Sequence, residues 1–437
     1  MISIEGNIVN IDKTFRGRIE IGSDGLISAV GQQTGNADLV LKDELIFPGF
    51  IDLHVHAREC ANHSQDYKED FVTAGQAAIN GGVVAFADMP NNPVPPVDDE
   101  SYAEKLSLTK KSAVEILLYA GIGPNTRPLR SAPIHRLTKE PINGHTTQVT
   151  TPYKVYMGKS VGDLFFNSFE ELESAISKYS GQNVSFHCED PKILAANENQ
   201  PTHEGRRPVE AEVSALDFAL QMVEKYQLSG KICHVSTAEG LAKIIEAKKR
   251  GVKATVEVAP HHLYFDEEST RSVSIYRPNT DAHKWAHYMQ VNPPIRQSRE
   301  NRLALVAALK NGDIDYLATD HAPHTIEEKE KGISGLTHLD TYGPFVSWLL
   351  QEQNFTPQEV ARVCSFNPGN FMNQFLPVKY GSIAEGFVGS LSIIDMNRPI
   401  KIEKSMLKTK AAWSPFEGIE FPGRVAYTII KGKIYKV

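Results

Sequence analysis

Two histidines spaced two residues apart, His54 and His56, end an apolar run that starts after Pro48 and reads GFIDLHV. Because successive side chains of a strand point to opposite faces, both imidazoles would share one face and could reach a common metal ion from a rigid base. Arg58 continues that face and would place a cation beside the metal. The pattern predicts a metal centre that receives an anionic substrate, although a strand that merely carries two polar residues would look the same.

Other residues that can bind metals end later apolar runs, namely His187 in SFHCED, His234 in ICHVS and Asp320 in ATDHAPH. In an eight-stranded α/β barrel the catalytic groups collect at the carboxyl ends of the strands. A single buried histidine is usually a hydrogen-bonded core residue. The recurrence of metal-binding residue types at the same end of successive strands, however, favours a shared metal site.

Lys154, in YKVYMG, takes the equivalent place in a further apolar run. An ammonium group cannot bind a cation, and a lysine buried in an apolar strand must pair, lose its charge or be modified. Carboxylation by carbon dioxide would give it a carboxylate able to bridge two metal ions. A surface lysine or a salt-bridge partner is the alternative, and strand phase favours Lys154 over Lys159, which falls beyond the glycine.

After Pro48, apolar strands alternate with amphipathic helices, a pattern typical of a parallel α/β fold. Eight strands are predicted, the number of a (β/α)8 TIM-like barrel: FIDLHVH, VVAFADMP, VEILLYAGI, YKVYMG, NVSFHCE, KICHVS, ATVEVAP and DYLATDH. Most gaps hold a helix, such as KEDFVTAGQAAIN, SFEELESAISKY, VEAEVSALDFALQMVEKY, GLAKIIEAKKR and RENRLALVAALKN. Residues 124–150 lack this periodicity, and an irregular connection or a short broken helix is expected there.

The two chain ends are predicted to form a second unit. Residues 1–47 carry short alternating runs such as ISIEGNIVNI, and similar runs return over residues 380–437. Because the first and last runs match in length and alternation, both ends are expected to share one small antiparallel sheet outside the barrel. The barrel domain would then occupy residues 48–379.

The composition of the chain indicates which kinds of molecule it can bind. The 437 residues include 41% hydrophobic and 23% charged residues, and the net charge is −7. This balance offers no basic stripe for nucleic acid and no polybasic patch for a membrane, so a small-molecule substrate is expected. The N-terminus lacks the apolar core of a signal peptide and no run approaches the roughly 18 apolar residues of a membrane span, which predicts a cytoplasmic location.

The four cysteines form no CxxC pair and no disulfide framework, so reduced thiols are expected. Cys188 and Cys233 each lie next to a histidine of the predicted site. Since adjacent strand residues face opposite ways, both thiols are expected to pack outward against helices.

These motifs together resemble the dihydroorotase branch of the amidohydrolase superfamily, from about residue 48 to residue 345. The resemblance is carried by DLHVHARE, YKEDF, DMPNN, YKVYMG, FHCED, ICHVS, EVAPHHL, VNPPIR and ATDHAPH. The flanking sheet also resembles that family's β-sandwich. The resemblance implies a metal-dependent (β/α)8 hydrolase with dihydroorotase activity, the reversible hydrolysis of dihydroorotate to N-carbamoyl-L-aspartate in pyrimidine biosynthesis.

The same resemblance implies the site residues, motif by motif. The first zinc ion would be held by His54, His56, carboxylated Lys154 and Asp320, and the second by Lys154, His187 and His234. Asp320 would also act as the acid and base. The substrate would be bound by Arg58, Asn91, Asn292 and His324. A guanidinium binds a carboxylate bidentately, and amides can donate to it or to a ring carbonyl.

The chain departs from the family pattern in two places. The Pro-Gly turn that usually follows HxHxRE is replaced by a longer loop, ECANHSQDYKED, and Thr337 stands where a glutamate is usual. These departures leave the geometry of the mouth and the backbone contacts to the ring open. For His261 and His262, a role in orienting a ligand and a role in capping the strand both stay open.

Two alternatives to dihydroorotase activity stand beside it. The first is a cyclic amidohydrolase of the hydantoinase or allantoinase type, and Arg58 argues against it because it favours a substrate with a carboxylate. The second is a non-catalytic scaffold, against which the complete ligand set argues. The sequence leaves the oligomeric state open, and allows a homo-oligomer or an association with a transcarbamoylase.

Overall fold

In the computed structural model the described residues are 1–31, 36–130, 151–158, 164–266 and 287–437. The irregular connection predicted over residues 124–150 lies mostly outside them. Its described part, residues 124–130, contains no helix or strand.

Strands from both chain ends form one seven-stranded sheet. They are β1 (Ile2–Val9), β2 (Thr14–Ile21), β3 (Ile27–Gly31), β4 (Leu39–Pro48), β14 (Leu391–Asp395), β17 (Arg424–Ile430) and β18 (Lys433–Lys436). Their order across the sheet is β18-β17-β14-β4-β1-β2-β3. Ile4, Ile8 and Ile19 belong to a hydrophobic cluster that is built mostly from this sheet and is separate from the core of the barrel. A separate two-stranded ribbon pairs β15 (Ile400–Lys401) with β16 (Glu420–Phe421).

A closed ring of parallel strands forms the second part of the molecule. Its members are β5 (Phe50–Val55), β6 (Val83–Asp88), β7 (Glu115–Leu118), β8 (Ala120–Ile122), β9 (Tyr153–Tyr156), β10 (Asn183–His187), β11 (Ser229–Ile232), β12 (Ala254–Val258) and β13 (Tyr316–Leu317). Only Tyr119 separates β7 from β8, and the two lie on one predicted strand. Counted as one strand, they give the barrel eight strands. A bridge between Val55 and His321 joins the last strand to the first. The predicted α/β barrel with an added β-rich domain is confirmed.

Helices connect the barrel strands and follow the last of them. They span Phe71–Asn80, Asp99–Thr109, Phe169–Ile176, Pro191–Ala196, His203–Arg206, Val209–Lys225, Ala238–Lys249, Pro260–Tyr264, Arg299–Asn311, Ile326–Glu330, Tyr342–Gln351, Pro357–Ala361 and Asn367–Met372. The first begins later than predicted because Asp70 is its N-cap and accepts hydrogen bonds from the amides of Val72 and Thr73. The helix Asp99–Thr109 was not predicted, since it buries only Tyr102 and Lys105 and so has little apolar periodicity.

The barrel strands are buried on both faces, as expected for a parallel sheet covered by helices. Every residue of β5, β6 and β9 is buried. The strands therefore form a rigid base for side chains at their carboxyl ends. In the described part of the chain no helix is both long and apolar enough to cross a bilayer.

Candidate active site

A cavity of about 350 Å³ opens at the carboxyl end of the barrel. Eight of the ten predicted site residues line it: His54, His56, Arg58, Asn91, His187, His234, Asn292 and Asp320. The other two, Lys154 and His324, are buried and contact residues next to it. The structure thus brings the predicted residues together, from strands far apart in the chain.

His54 and His56 present matching nitrogens to Asp320. Their Nε2 atoms lie 3.3 and 3.1 Å from the Asp320 Oδ1 atom. Their Nδ1 atoms are engaged elsewhere, that of His54 with Glu257 and that of His56 with the Asn91 Oδ1 atom at 2.6 Å. Because each Nδ1 donates to its acceptor, each Nε2 is left with a lone pair. The three groups offer ligand atoms within 4.8 Å of one another.

His187 and His234 form a second group on the neighbouring strands. The His187 Nε2 atom lies 2.8 Å from the Glu189 Oε2 atom, so it is the donor. The His187 Nδ1 atom faces the His234 Nε2 atom at 3.0 Å. The Nδ1 atom of His234 is buried without a hydrogen-bond partner among the described residues. Two imidazoles with nitrogens converging on one point fit a second cation.

Lys154 lies fully buried on β9, between these groups. Its Nζ atom donates to the Cys233 Sγ atom at 2.8 Å and lies 5.1 Å from the centre of the Tyr156 ring. No carboxylate pairs with it among the described residues. A buried ammonium with a thiol and an aromatic ring as neighbours is poorly compensated, which fits the predicted modification.

The prediction that Cys233 packs outward is wrong. β11 ends at Ile232, and His234 adopts a positive φ of 33°. This left-handed backbone breaks the alternation of the strand, so Cys233 and His234 both face the site. His54, Cys233 and Glu257 also lie close enough to form a ligand group, but Glu257 is already bonded to His54 and Lys231.

The imidazoles are in the state that metal binding requires. Burial lowers the pKa values of His54, His56 and His234 well below their usual range, and neighbouring positive charges act in the same direction. Neutral imidazoles are the ligands of divalent metals such as zinc. Burial raises the pKa of Asp320 to about 7, against the opposing effects of Lys154 and His187. A cation beside Asp320 would favour the ionised carboxylate.

Arg58 is buried at the mouth and held from one side. Its Nε atom donates to the Pro323 carbonyl oxygen at 3.1 Å, and its Nη2 atom lies 3.1 Å from the His324 Nε2 atom. Burial and the charges of Arg58 and Lys68 lower the pKa of His324, so its Nε2 atom is an acceptor. Arg58 has a φ of 65° and Asp320 a φ of 49°. Such left-handed non-glycine residues persist where the surroundings fix them, and they cluster at functional sites.

Comparison with known proteins identifies the family of the chain. The family model described as "Amidohydrolase family" matches residues 45–435. The chain belongs to the amidohydrolase family.

Relatives within the family extend over nearly the whole chain. A dihydroorotase from Pyrococcus furiosus is 30% identical, and the match covers 99% of this chain and 92% of that protein. A dihydroorotase from Thermococcus kodakarensis is 32% identical, with 95% and 90% covered. The fold is similar to an L-hydantoinase (dihydropyrimidinase) from Arthrobacter aurescens, with a TM-score of 0.83, 22% identity, and 99% of this chain and 96% of that chain covered.

Sequence reasoning missed the carboxylates that orient the imidazoles of this amidohydrolase. Glu257 in ATVEVAP is bonded to His54 and Lys231, and all three are buried. Glu189 in SFHCED is bonded to His187 and Arg207. Burial raises the Glu189 pKa, but these partners outweigh it and bring the pKa to about 2. The position of Glu257, a charged residue inside an apolar strand, was the sequence signal that could have indicated its role.

The structure gives contacts for the residues whose roles the sequence left open. The His262 Nε2 atom lies 3.2 Å from the Pro293 carbonyl oxygen, the His261 Nδ1 atom lies 3.1 Å from the His338 Nε2 atom, and neither histidine is among the residues that line the cavity. The Thr337 hydroxyl donates to the carbonyl of Trp413. In the atypical loop, His63 pairs with Asp66 at 2.8 Å.

Proposed function

We propose that this amidohydrolase is a dihydroorotase, which reversibly hydrolyses dihydroorotate to N-carbamoyl-L-aspartate. The observation that carries the proposal is a buried guanidinium, Arg58, in the same small cavity as two groups of neutral imidazoles. A metal site beside a fixed cation suits a cyclic amide that bears a carboxylate. The dihydroorotase names of the full-length relatives support the same reaction.

We propose two zinc ions as the cofactor. His54, His56 and Asp320 would hold one ion, His187 and His234 the other, and Lys154 in carboxylated form would bridge them. The support is the convergence of ligand atoms in two groups, the Nε2 atoms of His54 and His56 on Asp320 and the His187 Nδ1 atom on the His234 Nε2 atom. When bound, the ions would supply Lewis-acid activation of a water molecule and of the ring carbonyl.

In this proposal Asp320 moves the proton. The attacking water adds to the ring carbonyl carbon and gives a proton to the Asp320 carboxylate. The bond between this carbon and the ring nitrogen then breaks, and Asp320 returns the proton to that nitrogen. Ring closure runs the same steps backwards and requires Asp320 to be protonated at the start.

The substrate carboxylate would be bound by Arg58, with Asn91, Asn292 and His324 around the ring. The Oδ1 atom of Asn91 is occupied by His56, so its amide group is the part that faces the cavity as a donor. Asn292 accepts a hydrogen bond at Oδ1 from the Ser334 hydroxyl at 3.1 Å, which leaves its amide group as a donor too. Donors are what a carboxylate and ring carbonyls need.

The deciding experiment assays dihydroorotate, hydantoin and allantoin in parallel with zinc-loaded protein, and measures bound metal in the same sample. We expect turnover of dihydroorotate to exceed that of both neutral rings. Faster turnover of hydantoin or allantoin would assign the enzyme to the alternative cyclic amidases. Protein without bound metal and without any turnover would favour the scaffold. The cytoplasmic location and a homo-oligomeric state stay predictions.

A further inference from the structure

Lys329, on the short helix Ile326–Glu330, is a buried lysine without a carboxylate partner among the described residues. Its side chain is fully buried. Its Nζ atom donates to the carbonyl oxygens of Gln290 at 3.1 Å and Ile333 at 2.6 Å. The ammonium also lies 5.8 Å from the centre of the Trp413 ring.

Other buried lysines of the described residues are paired or belong to the metal site. Lys68 pairs with Glu328 at 2.9 Å, Lys105 with Asp88 at 2.6 Å, and Lys231 with Glu257. Lys154 is the residue proposed to be carboxylated. Burying an uncompensated ammonium is costly. Burial, and after it the positive charge of Arg58, accordingly lowers the pKa of Lys329 to about 7.

The two carbonyl groups bound by Lys329 belong to two neighbouring walls of the cavity mouth. Gln290 precedes Asn292, and Ile333 lies in the mouth loop, residues 332–335, whose four residues line the cavity. Two more hydrogen bonds join the same walls: the Gly335 amide donates to the Gln290 carbonyl oxygen at 2.9 Å, and the Ser334 hydroxyl donates to Asn292. The Lys329 ammonium therefore adds a third connection, beside these two hydrogen bonds, between the wall that carries Asn292 and the mouth loop.

We propose that Lys329 is a positioning residue for substrate binding, whose ammonium fastens the mouth loop to residues 290–292 and so orients Asn292 towards an anionic ring. The choice of dihydroorotate as that ring rests on the proposed function. The fastening itself does not, because it is a property of the protein without substrate.

The charges around Lys329 explain why a bound anionic substrate would affect its protonation. Arg58 raises the positive potential there, and Lys329 in turn lowers the pKa values of His324 and His261. The carboxylates on its own helix have other partners. Glu328 bonds Lys68 and Tyr67, Glu327 is solvent-exposed, and Glu330 accepts from the Tyr288 hydroxyl at 3.2 Å.

A bound carboxylate at Arg58 would supply negative charge that this end of the site lacks. It would favour the protonated form of Lys329, so fastening of the loop and binding of the anion stabilise each other. The protonated form predominates below the lowered pKa of about 7 and is lost as the pH rises through it.

The first test is hydrogen exchange at single amides in the zinc-loaded protein without substrate. In Lys329→Met the Gly335 amide should exchange about 10- to 100-fold faster, the effect expected when hydrogen bonds to a charged group are lost. Lys331→Met is the matched control, because Lys331 is exposed on the same segment. The control should exchange like the wild type. Wild-type exchange at Gly335 in Lys329→Met would overturn the proposal.

The second test separates charge from fastening through kinetics with dihydroorotate. Lys329→Met should raise KM about 10- to 100-fold and change kcat little. Wild-type KM should rise above about pH 7, and this rise should vanish in Lys329→Met and in Lys329→Gln. The glutamine can still donate to a carbonyl, so it also serves if the methionine variant does not fold. A pH-dependent KM that persists in Lys329→Gln would refute the role of the charge. No wild-type turnover of dihydroorotate would reject the proposed function, and the exchange comparison would still decide the fastening.

Discussion

The base of the cavity and its mouth differ in what holds their side chains in place. At the base, His54 and His187 each extend from a buried strand and donate to a buried carboxylate, Glu257 or Glu189. At the mouth, Arg58 and Asn292 are held by loop atoms, including carbonyl groups and the Ser334 hydroxyl. The base is built for a fixed metal geometry, whereas the mouth depends on a few hydrogen bonds that a different loop could rearrange. Metal chemistry and substrate choice should therefore separate under mutation.

The strongest break at the base is Lys154→Ala. Without an anion between the two imidazole groups, we expect loss of both metals and of all measurable activity, with partial rescue by short carboxylic acids. Metal analysis and turnover of the purified variant check this. Lys159→Ala, at the neighbouring lysine that strand phase excludes, is the control and should retain both. An unmodified ammonium at Lys154 in a crystal structure of the zinc-loaded protein, or wild-type turnover of Lys154→Ala, would contradict the bridge.

Asp320→Ala should reduce turnover about 10²- to 10⁴-fold in both directions, the usual effect of removing a general acid or base. In the wild type, hydrolysis should gain as the pH rises and ring closure should gain as it falls, because the carboxylate is the base in one direction and the acid in the other. Burial brings its pKa to about 7 in the protein without metal, and bound cations should move the inflection lower. Initial rates of hydrolysis and of ring closure, measured across pH 5 to 9, test whether the two pH dependences have opposite signs. Parallel pH profiles for the two directions would remove this role.

Arg58→Met tests the mouth alone. Losing one side of a desolvated charge pair costs about 2–5 kcal/mol, so kcat/KM for dihydroorotate should fall roughly 30- to 5000-fold. The zinc content should stay unchanged, and an uncharged cyclic amide should lose far less. An equal loss on both substrates, or a loss that follows missing zinc, would mean that Arg58 braces the loop and does not bind the carboxylate.

The smallest expected effect is that of Glu257→Gln, which tests how much the buried carboxylate at the base contributes to zinc affinity. Glu257→Gln would give His54 a neutral amide acceptor, as His56 already has in Asn91, and zinc affinity should fall about 10-fold to 100-fold. The change also leaves Lys231 buried without its partner, which destabilises the fold. Adding Lys231→Met should restore stability but not the zinc affinity. Chelator competition and thermal unfolding distinguish the two effects, and recovery of zinc affinity in the double variant would show that Glu257 acts only through Lys231.

Sequence predicted the elements of the barrel well because its strands are continuous apolar runs. The spacing of His54 and His56, followed by histidines and an aspartate at later strand ends, was enough to predict that these side chains lie together. Asn91, Asn292 and His324 followed only from the resemblance to the family. Strand alternation failed at Cys233, where the left-handed residue His234 shifts the phase. No local pattern could reveal this, because the backbone turn is imposed by neighbouring strands.

The partners of the site residues were harder to predict than the residues themselves. Glu257 meets His54 across 203 positions of sequence, and Lys329 meets Gln290 across 39. Such contacts depend on strand order and loop path, which the chain specifies only once it is folded. The helix Asp99–Thr109 was missed for a different reason, since only Tyr102 and Lys105 are buried and its sequence carries no continuous apolar stripe.

The sheet that joins both chain ends places a condition on how the protein is made. Phe50, at the start of the strand that carries the first histidine pair, donates its amide to the Ser392 hydroxyl at 2.8 Å, and β4 pairs with β14. A ribosome synthesises Ser392 only after all of the barrel strands, the last of which ends at Leu317. While the barrel is being made, the Phe50 amide lacks this acceptor and β4 lacks its pairing with β14. The proposed metal ligands have all been synthesised once Asp320 is made, so the nascent chain carries a full set of ligands before the sheet that supports its first barrel strand can form.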